Sequence, residues 1–264
     1  MTIDAPLATR QEGRVQIVTL DRPDARNALD LPLCHALTNA FTDVDRDDRV
    51  GAVLLNAAGP AFCAGADFKE RQGRDAPWVR RRREAAFAAY RAIARCGKPV
   101  LALVHGSVVG SGGEIAMSAD FIYAADDAVF RFPEVHWGTV GATQRLQRAI
   151  GVRAAKELLL TGRDMGVDEA FDRGLVQRVL PAADAFDVAL ETARRIAEAP
   201  ALSARLTKAA MDQGAEVTLE QGIAIELWAI DRSLAGTGWR EGLNRFADGE
   251  RMNDTGPNRL DTSR

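Results

Sequence analysis

Apolar residues recur along this chain with two periods, and the change from one to the other lays out its elements. Val15 to Leu20 reads as a strand, closed by the turn sequence Asp21-Arg22-Pro23-Asp24. The period then lengthens. Leu33, Leu37, Ala40, Phe41 and Val44 share one face of a helix that Asp30 would cap, with Pro32 in its first turn. Strand and helix alternate from there, and Val79, Ala86, Tyr90 and Ile93 mark the buried face of a helix over 77–96. That face leaves Arg80 to Arg83 on or near the solvent side. After Glu134 strands nearly vanish. One stripe at Phe186, Leu190, Ala193 and Ile196 and another at Leu219, Ile223, Leu227, Ile230 and Leu234 predict a helical appendage. Thr237 would cap a last helix carrying Trp239, Leu243 and Phe246, with Gly249 as its stop. No Pro/Gly/Ser-rich linker and no low-complexity tract divides the chain.

Two segments share a layout. Each begins with a short apolar run, Ala52 to Leu55 in the first and Val100 to Val104 in the second, breaks at glycines and enters a predicted helix. The breaks read Gly-Pro-Ala-Phe-Cys-Ala-Gly-Ala-Asp-Phe (59–68) and His-Gly-Ser-Val-Val-Gly-Ser-Gly-Gly-Glu (105–114). Helix N-termini carry unpaired N–H donors and partial positive charge, so two of them brought together can hold a developing oxyanion. Carbonyl chemistry is the expectation. The pair also suggests a weak internal repeat of the kind that stacks into a spiral.

Composition narrows the classes. A chain of 264 residues, 47% hydrophobic, can bury a core as one domain or a domain with an appendage. A formal charge of -3 argues against a general nucleic-acid or membrane-surface binder. Cys34, Cys63 and Cys96 form no CxxC pair, and His35, His105 and His136 are dispersed, so reduced thiols and no metal are expected. No apolar run approaches the ~20 residues that cross a bilayer, and the N-terminus lacks a basic region followed by an apolar one; the expected address is the cytoplasm.

Glu114 follows Gly112-Gly113, where glycines let a backbone approach a ligand closely, and Glu134 follows Pro133 after the strand-like 128–132. Taken singly, the first is also a helix-start glutamate and the second a surface-turn acid. Two acids near an oxyanion hole suit the addition of water across a double bond conjugated to a carbonyl, because one can deprotonate water while the other protonates carbon. Their spacing does not show that they meet. Gly106 to Gly113 fits neither GxGxxG nor a P-loop, and Ser107 and Ser111 lie in no GxSxG, so packing roles are expected for His105 and His136. Arg80 to Arg83, with Arg71 and Arg74 nearby, reads as a solvated face or an attractor of phosphates; no aromatic platform interleaves them for RNA.

The ordered stretches Phe62-Cys63-Ala64-Gly65-Ala66-Asp67, Lys98-Pro99-Val100, Gly110-Ser111-Gly112-Gly113-Glu114, Pro133-Glu134, Thr143-Gln144-Arg145-Leu146 and Gly174-Leu175-Val176 resemble the enoyl-CoA hydratase/isomerase family, the crotonases. The likeness runs from about Val15 to Phe246 and includes 158–162 and Glu241-Gly242. It implies an α/β crotonase-like spiral of ββα turns over residues 1–198 that carries the acyl-CoA site. It also implies a C-terminal helical trimerisation region over 199–264, assembling a homotrimer or a dimer of trimers. The implied activity is reversible syn hydration of a trans-2-enoyl-CoA, with no cofactor, since coenzyme A is part of the substrate. The resemblance puts the oxyanion donors on the N–H groups of Ala66 and Ser111, water activation on Glu114 and proton exchange at the alpha carbon on Glu134. It runs the coenzyme along Arg26 to Ala28 and Ala64 to Phe68, so that Arg26, Ala28, Ala64, Ala66, Asp67, Phe68 and Ser111 touch substrate.

The scaffold fixes the thioester handle and the acids choose the reaction, so isomerisation, hydration of an unusual acyl group, and a non-catalytic acyl-CoA- or RNA-binding role stay open. Two departures stand out. Ser111 occupies a position where the family commonly has glycine. The link from Val135 to Ala142 is shorter than the family's and lacks its proline and most of its glycines, which predicts a stiffer pocket wall with His136 and Trp137 facing the acyl group.

Overall fold

The structure, a computed structural model, describes residues 6–248. Val15–Leu20 (β2) forms where the alternation predicts it, and pairs antiparallel with a strand the pattern did not reveal, Leu7–Glu12 (β1). β2 then lies parallel to Ala52–Ala57 (β3), which lies parallel to Val100–Val104 (β4) with Val53 opposite Val100. Phe121–Ala125 (β6) and Arg178–Leu180 (β9) extend the sheet to six strands in the order β1-β2-β3-β4-β6-β9. β9 and Asp164–Gly166 (β8) correct the expectation that strands nearly end at Glu134: at three residues each, they are too short to show an alternation. Ser107–Val109 (β5), Val129–Arg131 (β7) and β8 make a second sheet in the order β5-β7-β8.

β3 and β4 are apolar at nearly every position because both sheet faces are covered. Helices Leu31–Arg46 (α1) and Ala76–Arg95 (α2) cover one face, where Leu33, Leu37, Phe41, Ala86 and Ile93 pack with Val53, Leu55, Ala102 and Val104. Helix Ala185–Glu198 (α7) covers the other with Ala189, Leu190 and Ala193 against Leu54, Leu101 and Leu103. Asp30 caps α1 through Leu33 N–H (2.9 Å), as its place before the apolar stripe predicts.

The solvated arginine face is corrected. Arg80 and Arg81 are exposed, whereas Arg82 is buried, its Nε 2.5 Å from Glu70 Oε1 and its Nη2 bonded to the Leu29 carbonyl. The shared layout of the two glycine breaks is also only partly realised. The second enters helix Ser111–Ala116 (α3) directly; the first reaches a single 3-10 turn, Lys69–Arg71, before α2 begins at Ala76.

Between the second sheet and α7 lie Thr143–Ile150 (α4), Val152–Thr161 (α5) and Val167–Asp172 (α6). Ala201–Gly214 (α8) and Leu219–Leu234 (α9) pack on each other, followed by Gly238–Ala247 (α10). Lys208 of α8 ties this hairpin to the sheet through Asp120 Oδ1 (2.9 Å) and the Lys98 carbonyl (3.2 Å). Thr218 opens α9 with a capping box. Thr237 does not cap α10 as expected; its hydroxyl bonds the Glu241 carboxylate (3.1 Å). Gly249, expected as the stop, lies outside the described residues.

Candidate active site

The glycine breaks after β3 and β4 are stitched together. Phe62 N–H donates to the His105 carbonyl (2.9 Å), Cys63 N–H to Ser107 (3.1 Å) and Val109 N–H to Cys63 (2.9 Å). Gly112 permits this approach, since a Cβ there would stand 2.5 Å from the Cys63 carbonyl oxygen. Asn27, fully buried in a left-handed conformation, holds the first break from behind, its side-chain amide donating to the carbonyls of Ala58 (2.7 Å) and Ala61 (2.8 Å).

Ala66 sits in a bridge to Leu29. Its bonds, Leu29 N–H to Gly65 O (2.8 Å) and Asp67 N–H to Leu29 O (2.9 Å), pass on either side of Ala66 and leave its own N–H out of the ladder. Ser111 is the first residue of α3, so its N–H has no intrahelical partner. Two amide donors are thus left on the wall of one cavity of about 650 Å³. The first is presented by a bridge, not by the helix N-terminus the sequence suggested.

Glu114 and Glu134 line the same cavity, so the acids whose meeting the spacing left open do share a site. Glu114 is 5% exposed; burial pushes its pKa up, Arg145 Nη1 at 3.5 Å from Oε2 pulls it down, and Glu134 pushes it up again. Burial also raises Glu134, against the pull of its own backbone N–H and of Arg83. Its Oε2 is buried without a hydrogen-bond partner, and its Oε1 lies where a Cβ on Gly110 would be 2.5 Å away. Two carboxyls held toward their protonated forms in one cavity are suited to giving and taking protons.

The short link after Glu134 begins as a 3-10 turn, Glu134–Trp137, and ends at Ala142, a non-glycine residue with φ 54° whose backbone N–H bonds Glu114. One segment therefore carries one acid and steadies the other. Arg83 grips its middle, Nη1 donating to the Val140 carbonyl (2.5 Å) and Nη2 to Thr139 Oγ1. Trp137 lines the cavity at its rim, 66% exposed and 5.9 Å from the Phe68 ring. His136 Nε2 lies 2.9 Å from the Thr161 carbonyl.

Of the other residues expected to touch substrate, Ala64 and Phe68 line the cavity; Arg26, Ala28 and Asp67 do not. The Arg26 carbonyl accepts from Ala64 N–H (2.9 Å), and Asp67 Oδ1 accepts from Lys69 N–H (2.9 Å). Sequence reasoning put Tyr90 on the buried face of α2 but gave it no place in the site, where its hydroxyl hydrogen-bonds that of Ser111 and burial drives its pKa upward. Nor did it place Arg83 in the cavity. The signal was present in the spacing of Arg83, Ala86, Phe87 and Tyr90, one face of α2.

An α/β spiral with two free amides, a buried acid and a half-buried one on a single cavity wall defines a crotonase fold, and the comparisons agree. The profile of the enoyl-CoA hydratase/isomerase family matches residues 10–254, and the chain belongs to that family. Membership places it among enzymes of enoyl-CoA hydratase/isomerase chemistry. The chain is 38% identical over 251 residues to a probable enoyl-CoA hydratase of Mycobacterium bovis, covering 94% of this chain and 96% of that one. It is 37% identical over 243 residues to a probable enoyl-CoA hydratase of Rhizobium meliloti, covering 91% and 94%. The crystal structure of enoyl-CoA hydratase from Bacillus anthracis superposes with a TM-score of 0.90 at 32% identity, covering 96% of this chain and all of that one.

Proposed function

We propose that this protein is an enoyl-CoA hydratase, adding water reversibly and syn to a trans-2-enoyl-CoA to give the 3-hydroxyacyl-CoA. The observation that carries the reading is the pair Glu114 and Glu134, both held toward protonation by burial, on the wall that also carries the unpaired amides. The hydratase names of the relatives support it. The Ala66 and Ser111 amides receive the thioester oxygen and stabilise the enolate formed as water oxygen bonds the beta carbon. Glu114 takes a proton from that water while Glu134 delivers one to the alpha carbon. Coenzyme A runs along Arg26 to Ala28 and Ala64 to Phe68, largely against backbone.

Crotonyl-CoA tests the assignment. Loss of enone absorbance with formation of 3-hydroxybutyryl-CoA is expected, and Glu114→Gln or Glu134→Gln should each lower kcat by roughly two to four orders of magnitude. Migration of a double bond without uptake of water would replace the hydratase reading with isomerisation. Undiminished hydration by both variants would overturn the assigned roles.

A further inference from the structure

The arginines on and beside the cavity wall are held by carboxylates or by hydrogen bonds, with one exception. Arg131 Nη2 is 2.6 Å from Asp164 Oδ2, and Arg163 reaches Glu157 and Glu169 at 2.7 Å each. Arg82 is held by Glu70, and Arg145, beside the cavity, by Glu114. Arg83 is bonded to the link after Glu134 and lowers that acid's pKa. Arg71 lines the same cavity, and among the described residues its guanidinium has no carboxylate partner and no hydrogen bond; its Nε is buried with no acceptor. The side chain is not simply loose, for its guanidinium carbon lies 5.2 Å from the centre of the Phe68 ring. Burial and the charges of Arg82 and Arg83 lower its pKa against the opposing pull of Glu70, and the net effect disfavours the cation.

Arg71 is half-buried, and its buried Nε without an acceptor costs free energy that an anion would recover, while the planar fork of its guanidinium matches a carboxylate. The groups whose charge Arg71 feels include Arg83, which faces both acids, and Tyr90, whose hydroxyl meets Ser111. Arg71, Arg83 and Tyr90 line the same cavity as both acids. The phosphates of coenzyme A are separated from the thioester by the whole pantetheine arm. We propose that Arg71 receives an anionic group at the far end of the acyl chain, so that the site takes 2-enoyl-CoA thioesters ending in a carboxylate. This rests on the acyl-CoA reading above and names the acyl class that it leaves open.

Binding and turnover are to be measured separately. Calorimetry with the saturated thioesters glutaryl-CoA, which ends in a carboxylate, and butyryl-CoA, which does not, reads the preference without reaction. The wild type should bind glutaryl-CoA roughly ten- to a hundredfold more tightly, the size of a charge-assisted hydrogen bond, and Arg71→Met should abolish the difference while Arg71→Lys keeps part of it. In turnover, the ratio of kcat/KM for pent-2-enedioyl-CoA over crotonyl-CoA should fall by the same factor in Arg71→Met. Absence of a preference in the wild type would overturn the inference. So would an equal loss of affinity in Arg71→Met for both thioesters and for free coenzyme A, which would assign Arg71 to the phosphates. Preferential binding of glutaryl-CoA with no hydration of either enoyl thioester would instead retain this inference and remove the hydratase reading.

Discussion

Glu134 meets two opposing demands at the scale of a single residue. Its Oε2 is buried without a partner, and burial holds its pKa above the ordinary 4.5, as it does for Glu114. A carboxyl whose pKa is raised by folding contributes stability at pH below its unfolded value, and that contribution is lost as pH rises through the folded value. Once ionised, each acid therefore destabilises the fold. Glu134→Gln is expected to raise Tm at pH 7 to 8 while it removes activity, and the gain should fade as pH falls toward about 4.5. Calorimetric melts across this range check the sign; a Tm difference that does not change with pH would show that the charge is not what destabilises. Both acids were legible in the sequence because they stand beside turn residues in motifs with ordered spacing. The contacts of Arg71, of the Tyr90 hydroxyl and of Arg145 with the acids' surroundings were not, since they depend on which distant elements these side chains face.

Among the elements, α2 shows most plainly what periodicity leaves out. The stripe of Ala86, Tyr90 and Ile93 is apolar and was readable; the buried position of Arg82 was not, because nothing local announces Glu70 as its partner. That pair joins α2 to the 3-10 turn that follows Ala66, and its Arg82 side chain is only 1% exposed. Removing one member of a buried pair strands the other charge, so Arg82→Met is expected to cost about 3 kcal/mol in denaturant unfolding. A loss under about 1 kcal/mol would show Glu70 to be solvated. The long elements β2, α1, α2 and α7 were anticipated because each repeats its period several times. β8 and β9 repeat too little to register, and β1 is hidden because most of its residues are exposed on both sides.

For the molecule as a whole, the C-terminal helices are the unfinished part of the surface. α8, α9 and α10 bury no residue completely, and Leu219 and Phe246 are each 81% exposed, with Leu227, Trp228 and Leu243 over half exposed. Apolar area of that extent calls for a partner surface, and we propose self-association as a trimer or a dimer of trimers. Light scattering is expected to find one of these, and Leu227→Glu should shift it to smaller species; a monomeric wild type would overturn the proposal. The interior supplies a different kind of readout. Cys34, Cys63 and Cys96 are free and buried, and burial pushes the Cys34 thiol up to about 12 and the Cys63 thiol up to about 11. Almost no thiolate exists at neutral pH, so an alkylating reagent can act only when the chain opens, and the labelling rate becomes a clock for that opening. The clock has a local hand. Cys63 lies in the break stitched to Val109 and pressed by Gly112, whereas Cys34 lies within α1. An acyl-CoA seated between the two breaks should slow labelling at Cys63 more than at Cys34, as peptide mass spectrometry would resolve, and equal slowing would mean that both thiols wait on unfolding of the whole chain.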